Sequence, residues 1–225
     1  MSAAALALAA LVLLPVAAEP QAGAETPPPD SLLLDPDHPT WEAEAPERFR
    51  ARFRTSEGDF TIAVDRELAP RGADRFYNLV RHGFYDDTRF YRVVPDSWVQ
   101  FGVSGDPDVT AAWEGRTLSD DPVNASNVRG AVAFAHTGPG TRLTQVFVNL
   151  DDNTRLDADR FAPFGRVAEG MEVIESLYAG YGEEAVGGMR AGRQGPMLRG
   201  GNAYLDEHFP EMDRIVRAWI VEGPS

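Results

Sequence analysis

The chain has 225 residues, no cysteine and a formal net charge of −14, and its 21 basic side chains are all arginine. That length holds one domain with a sizeable core plus extensions and excludes two large domains. The charge argues against nucleic acid or an anionic membrane as partner, because either requires a basic patch and none is visible in the sequence. Lack of cysteine excludes a disulfide framework, a thiol nucleophile and a cysteine-linked lipid. Residues 3–18, AAALALAALVLLPVAA, form an apolar run too short and too proline-interrupted for a membrane span. It reads as the core of a secretory signal over residues 1–24, with Val16-Ala17-Ala18 or Ala22-Gly23-Ala24 as the small-residue cleavage site. No Lys or Arg precedes the run, and the alternative is an uncleaved apolar helix. Residues 25–47 are rich in Pro, Asp and Glu with little periodicity, which predicts an extended, mobile tether; Trp41 is the one residue in it suited to docking on the domain.

The folded domain is expected over residues 48–182. Phe49, Ala51 and Phe53 alternate with Arg, Ser56-Glu57-Gly58 supplies a turn, and Phe60, Ile62 and Val64 alternate again, which predicts a hairpin. Pro70–His82 carries Ala73, Phe76, Leu79 and Val80 at helical spacing, with Gly83 placed to end the helix. Gly170–Tyr178 reads as a second helix. Between them lie strands of five or six residues separated by Gly, Pro and Asp, a pattern that fits an antiparallel sandwich or a barrel. Residues 183–202 are Gly-rich and read as a loop. Residues 203–225 are expected to be a helical extension, its Leu205, Phe209, Met212, Ile215, Val216 and Trp219 packed on the domain or presented to a partner.

Three stretches carry the chemistry. In FYRVVPDSWVQFG (residues 90–102) a strand places Phe90, Arg92 and Val94 on one face, Pro95 ends the pairing, and Gln100 follows beyond Trp98. An Arg in a short strand is ordinarily a solvated side chain with its stem on apolar neighbours. The second stretch, RGAVAFAHTGPGTRLTQVFVNL (residues 129–150), runs from a strand over Ala131–Ala135 through a Gly/Pro turn to Gln145 and Phe147. The third is LDADRFAPFGRVAEGMEVIESL from Leu156. In this order, over about residues 49–181, the three resemble the cyclophilin family of peptidyl-prolyl isomerases, most closely its secreted or periplasmic bacterial branch.

The resemblance implies a mainly β fold, a closed eight-stranded antiparallel barrel with an α-helix over each mouth. It implies a peptidyl-prolyl cis–trans isomerase acting on proline-containing segments of exported or folding polypeptides, exported itself to the periplasm or beyond, monomeric and without cofactor or metal. Arg92 would donate to the prolyl nitrogen. Gln100 would hold Arg92 and bind substrate backbone, Gln145 would be a second backbone-binding glutamine, and Ala135 and His136 would meet the residue before proline. Phe90, Trp98, Phe147, Leu156 and Phe161 would complete the substrate-binding surface, although Phe147 and Leu156 would be core residues in any barrel. The chain departs from the pattern where Asp96-Ser97 replaces Gly-Phe, removing one aromatic wall that Trp98 is placed to supply. Tyr91 replaces the commoner His or Phe beside the Arg, and Phe161 stands near a frequent His. Arg155 takes the place of a tryptophan that many members use to bind cyclosporin, which implies weak binding of that peptide. A second function class stays open: a catalytically weak, cyclophilin-like module that binds proline peptides or a partner.

Four acidic residues, Asp151, Asp152, Asp157 and Asp159, crowd one loop without the Gly and terminal Glu of a calcium-binding EF-hand, and read as a solvated turn. His38, His82, His136 and His208 have no zinc-like spacing.

Overall fold

The computed structural model describes Met1 and residues 29–182 and 194–221. The expected signal and the first residues of the tether, most of the Gly-rich loop (residues 183–193) and the last four residues lie outside the described residues.

Eight strands form one antiparallel sheet: β1 (Arg48–Thr55), β2 (Asp59–Asp65), β3 (Arg92–Val94), β4 (Trp98–Phe101), β5 (Ala131–Phe134), β6 (Val146–Asn149), β7 (Pro163–Glu169) and β8 (Ile215–Val221). Their order across the sheet is β3-β4-β6-β5-β7-β2-β1-β8. The sheet curls until the segments just before its two edge strands meet. There the Phe90 amide donates to the Asp213 carbonyl at 2.9 Å and the Ile215 amide donates to the Thr88 carbonyl at 2.9 Å.

The hairpin of β1 and β2 follows from its alternation. Phe49, Ala51, Phe53 and Thr55 point inward while the intervening arginines stay in solvent, and Phe53 pairs with Phe60 with rings stacked at 4.8 Å. Helix α2 (Pro70–Arg81) lays Ala73, Phe76, Leu79 and Val80 on this interior, where Phe76 reaches Phe164 of β7 at 4.8 Å. The second expected helix is short, α5 (Met171–Glu175), and buries Ile174. Two further short helices, α3 (Pro107–Ala112) and α4 (Arg155–Ala158), lie in the connections.

Two expectations for the ends of the chain are corrected. Residues 29–47 are not an extended tether. The 3₁₀ turn (Pro39–Glu42) packs on α2, the Leu33 carbonyl of a short helix α1 (Pro29–Leu33) accepts from Trp113 Nε1, and Leu32, Trp41 and Ala45 are buried. Trp41 meets Trp113 edge-on at 4.8 Å, and its Nε1–H donates to the Asp35 carbonyl. Residues 41–45 are held by α2, where Asn78 Nδ2 donates to the carbonyls of Trp41 and Ala43 and Asp74 accepts the Ala45 amide, and the residues before them by Trp113 and Arg116, which bond Leu33 and Asp37. A composition reading has no access to partners that far downstream.

Residues 203–225 are not one helix either. Helix α6 (Gly195–His208) begins earlier, inside the expected loop, and the chain then enters β8, which pairs with β1 as the eighth strand. Ile215 and Ala218 of that strand are buried, and the Ala218 amide donates to Asp86. The edge of β1 carries unpaired backbone groups that a helix would leave exposed and a strand satisfies. Within α6 the path breaks at Gly201, whose φ is 55°. A Cβ there would lie 2.2 Å from the Gly105 carbonyl oxygen, so glycine lets α6 settle onto the loop before α3.

Candidate functional site

The site lies on the outer face of the sheet and is set by register. Arg92 of β3 pairs with Gln100 of β4, Gln100 with Phe147 of β6, and Phe147 with Ala133 of β5. Directly paired residues project from the same face. Their neighbours Val93, Val99, Val148 and Val132 are likewise paired and fill the barrel interior. Period-two alternation therefore puts valines inside and a cation, an amide and an aromatic ring in a row outside.

A cleft of about 380 Å³ opens over that row. Arg92, Trp98, Gln100, Ala135, His136, Gln145, Phe147, Leu156 and Phe161 all line it. Phe90 does not. It is buried inside the barrel, 5.4 Å from the Phe101 ring and 6.4 Å from Phe60, and its expected place at the site is corrected. The strand begins only at Arg92. The bond from Phe90 to Asp213 closes the barrel and turns that ring to the interior.

Polarity across the row is dictated by the arginine. A guanidinium can only donate. Arg92 Nη1 donates to Gln100 Oε1 at 3.1 Å, which leaves Gln100 Nε2 to donate to Gln145 Oε1 at 3.0 Å. That same oxygen receives the Tyr91 hydroxyl at 2.5 Å. Gln145 Nε2 is then turned toward Gln194 Oε1, 3.4 Å away. Tyr91 is fully enclosed, and burial pushes its hydroxyl well above the ordinary phenol value, so it remains a donor.

The apolar side of the cleft is a wall of three rings. His136 stacks on Phe161 at 4.0 Å with 26° between the planes, and Phe161 meets Phe147 edge-on at 5.4 Å. Burial, and then the Arg142 guanidinium, hold His136 below the ordinary imidazole range. Arg142 is itself buried beneath the wall, bonded to Asp120 and to the Arg160 carbonyl just before Phe161. At the other end of the cleft the Trp98 ring lies under the Arg92 guanidinium at 4.8 Å and near Arg155 at 5.8 Å. The preceding turn is specific to its residues. Asp96 adopts φ 57°, a left-handed conformation for which Gly is the usual choice and which Asp tolerates, and Ser97 O accepts from Leu150 N and Asn153 Nδ2.

The acidic loop is occupied by internal bonds. Burial works against ionisation of Asp157, and hydrogen bonds from Ser126 and Asn127 outweigh it and hold the carboxyl below its ordinary value. Sequence reasoning missed Gln194, Thr137, Thr141 and Leu143 in the cleft lining. The two threonines and Leu143 sit in the turn and strand entry between residues already singled out. Gln194 comes from a Gly-rich stretch with no pattern to mark it.

Residues 50–190 match the family described as cyclophilin type peptidyl-prolyl cis-trans isomerase/CLD. The chain belongs to that family. Cyclophilin relatives include a peptidyl-prolyl cis-trans isomerase of Acinetobacter baylyi, 32% identical over 134 residues covering 56% of this chain and 69% of the relative. A peptidyl-prolyl cis-trans isomerase-like 1 of Aspergillus fumigatus is 33% identical over 131 residues, 56% of this chain and 79% of its own. Bacterial and fungal members thus resemble this cyclophilin about equally. Among solved structures, a cyclophilin-type isomerase of Cryptosporidium parvum superposes with a TM-score of 0.57 at 20% identity, covering 79% of this chain and 99% of that one, a likeness of fold.

Proposed function

We propose that this cyclophilin accelerates rotation about X–Pro bonds in exported polypeptides through Arg92, and that the enzyme is itself exported. The reading rests on one observation: a guanidinium fixed by Gln100 at 3.1 Å, in the same cleft as an apolar three-ring wall. Rotation of an X–Pro amide faces a barrier of about 18–20 kcal/mol from conjugation and takes tens of seconds or longer uncatalysed. No bond is made or broken, so a catalyst has only to bind the twisted amide better than either planar form. In the twisted form the prolyl nitrogen regains its lone pair and accepts a hydrogen bond. Arg92 supplies a donor that cannot lose its charge, and its bond to Gln100 removes the reorganisation a mobile side chain would need. Phe147, Phe161 and Leu156 offer the proline ring an apolar seat, Trp98 closes the far end, and Gln100, Gln145 and the Ala135–His136 backbone bind the peptide. The reaction calls for no cofactor or metal.

Export is supported by the apolar run at residues 3–18, and the −14 charge supports polypeptide rather than nucleic-acid clients, with the enzyme acting as a monomer. Among the described residues no helix is long and apolar enough to cross a membrane.

The test is NMR exchange spectroscopy on a short X–Pro peptide with wild type and Arg92→Ala at equal concentration. Wild type is expected to accelerate exchange, and Arg92→Ala to lose on the order of 100-fold with an unchanged circular dichroism spectrum. Acceleration retained in Arg92→Ala overturns the role of the arginine. A wild type that binds the peptide without accelerating exchange replaces the enzyme with a proline-binding module.

A further inference from the structure

Gln194 lies beyond the residues that match the family, yet it lines the cleft and faces Gln145. It directly precedes α6, and α6 is fastened to the domain along its length. Met197 is 0% exposed and Leu205 4% exposed, and they close a second apolar cluster with Tyr91 and Val103. Beyond the break at Gly201, the Asn202 amide donates to the Gly105 carbonyl at 2.8 Å, Asn202 Nδ2 reaches the Asp87 carbonyl at 2.8 Å, and Arg89 bonds Asp206 at 2.9 Å. This helix therefore reaches the cleft twice, through Gln194 at its start and through Tyr91 beneath it.

The direction of the bonds gives that contact a consequence. Gln145 Oε1 accepts from two donors, Gln100 Nε2 and the Tyr91 hydroxyl, and a flip of the amide would set its N–H groups against the Gln100 Nε2 donor and give up the short bond from Tyr91. Gln145 then presents N–H and not C=O to the cleft, beside the Gln194 side chain. The Tyr91 ring that carries this hydroxyl packs in one cluster with Met197 and Leu205 of α6.

We propose that α6 and Gln194 form a specificity wall of the isomerase cleft, with Tyr91 the positioning residue through which α6 helps hold the Gln145 amide with its donors outward. The inference deepens the isomerase reading and rests on it for the substrate class, a peptide carrying a backbone carbonyl at Gln145 and a residue flanking proline against Gln194. A substitution at Gln194 alters which peptides are turned over. A substitution at Tyr91 alters how well Gln145 holds any of them.

The experiment uses the full chain as wild type, Tyr91→Phe and Gln194→Ala. Exchange rates are measured on two peptide series, one varied before proline and one after, together with the side-chain amide NMR resonances of Gln145. Tyr91→Phe is expected to raise KM about fivefold across both series, the size of one neutral hydrogen bond, with kcat nearly unchanged and the Gln145 amide resonances displaced. Gln194→Ala is expected to change the ranking of peptides within one series by threefold or more. Equal rates in all peptides, or a uniform loss without reranking, overturn the wall. Unmoved Gln145 resonances in Tyr91→Phe overturn the lock. If Tyr91→Phe does not fold, Gln194→Ala decides alone. If wild type accelerates no peptide, the isomerase reading fails; the lock then stands or falls on the Gln145 resonances, and the wall on whether Gln194→Ala reranks peptide affinities.

Discussion

The barrel interior and the seam beneath α6 are both apolar, but they are assembled differently. Inside the barrel, Phe53, Phe60, Phe76, Phe101 and Phe164 come from strands and a helix whose periodicity points each ring inward, and each touches several others. The seam joins Tyr91 and Val103, next to the cleft strands, to Met197 and Leu205 on a helix far along the chain. The first cluster holds the fold whether or not the cleft is well formed. The second is smaller, and its Tyr91 carries a hydroxyl bonded to Gln145 in the cleft.

Substitutions that separate the two clusters sharpen that contrast. The largest effect is expected at Phe76, buried between Phe49, Phe53, Tyr85 and Phe164: Phe76→Ala should cost about 3–5 kcal/mol of global stability by urea denaturation, because the cavity sits among rings that cannot collapse into it. Met197→Ala should cost less, about 2 kcal/mol, and locally. Amide exchange is expected to speed up in α6 and at Tyr91 while β1 and β2 stay protected, with the KM rising as in Tyr91→Phe. Uniform loss of protection would mean that seam and barrel unfold as one unit and would break the comparison.

The smallest effect expected is a pH dependence from the three-ring wall. His136 is held below its ordinary value by burial and by Arg142, so the unfolded chain takes up a proton near pH ~6.5 where the folded chain resists it. The unfolded state then binds more protons, and stability falls as pH drops from about 6.5 toward the folded value, below which the loss is constant. Unfolding midpoints measured between pH 7.5 and 5.0 should flatten in His136→Phe relative to wild type. An equal slope in both would show that other groups carry it.

The site was legible in the sequence to the extent that it is local. Arg92 and Gln100 sit on the two arms of one hairpin, Phe147 on the strand beside it and Gln145 just before that strand, so a motif in chain order marks them. Phe90 misled because alternation was extended two residues past the true start of β3, where the chain is already engaged in closing the barrel. Tyr91, which strict alternation would turn to the interior once Arg92 faces out, instead packs with Val103, Met197 and Leu205 outside the barrel core, and its hydroxyl meets Gln145 there.

Residues 48–65 and 70–81 determined their own structure, because alternation of period two and a stripe at helical spacing are properties of neighbouring residues. The ends of the chain were decided elsewhere. Residues 29–47 are held by Asn78 and Asp74 of α2 together with Trp113 and Arg116, residues 215–221 become a strand because the open edge of β1 needs partners, and Gln194 reaches the cleft because Gly201 lets α6 lie against Gly105. Each of these depends on a backbone group or surface that exists only once the barrel has curled, and no local pattern encodes a partner that folding has yet to bring near.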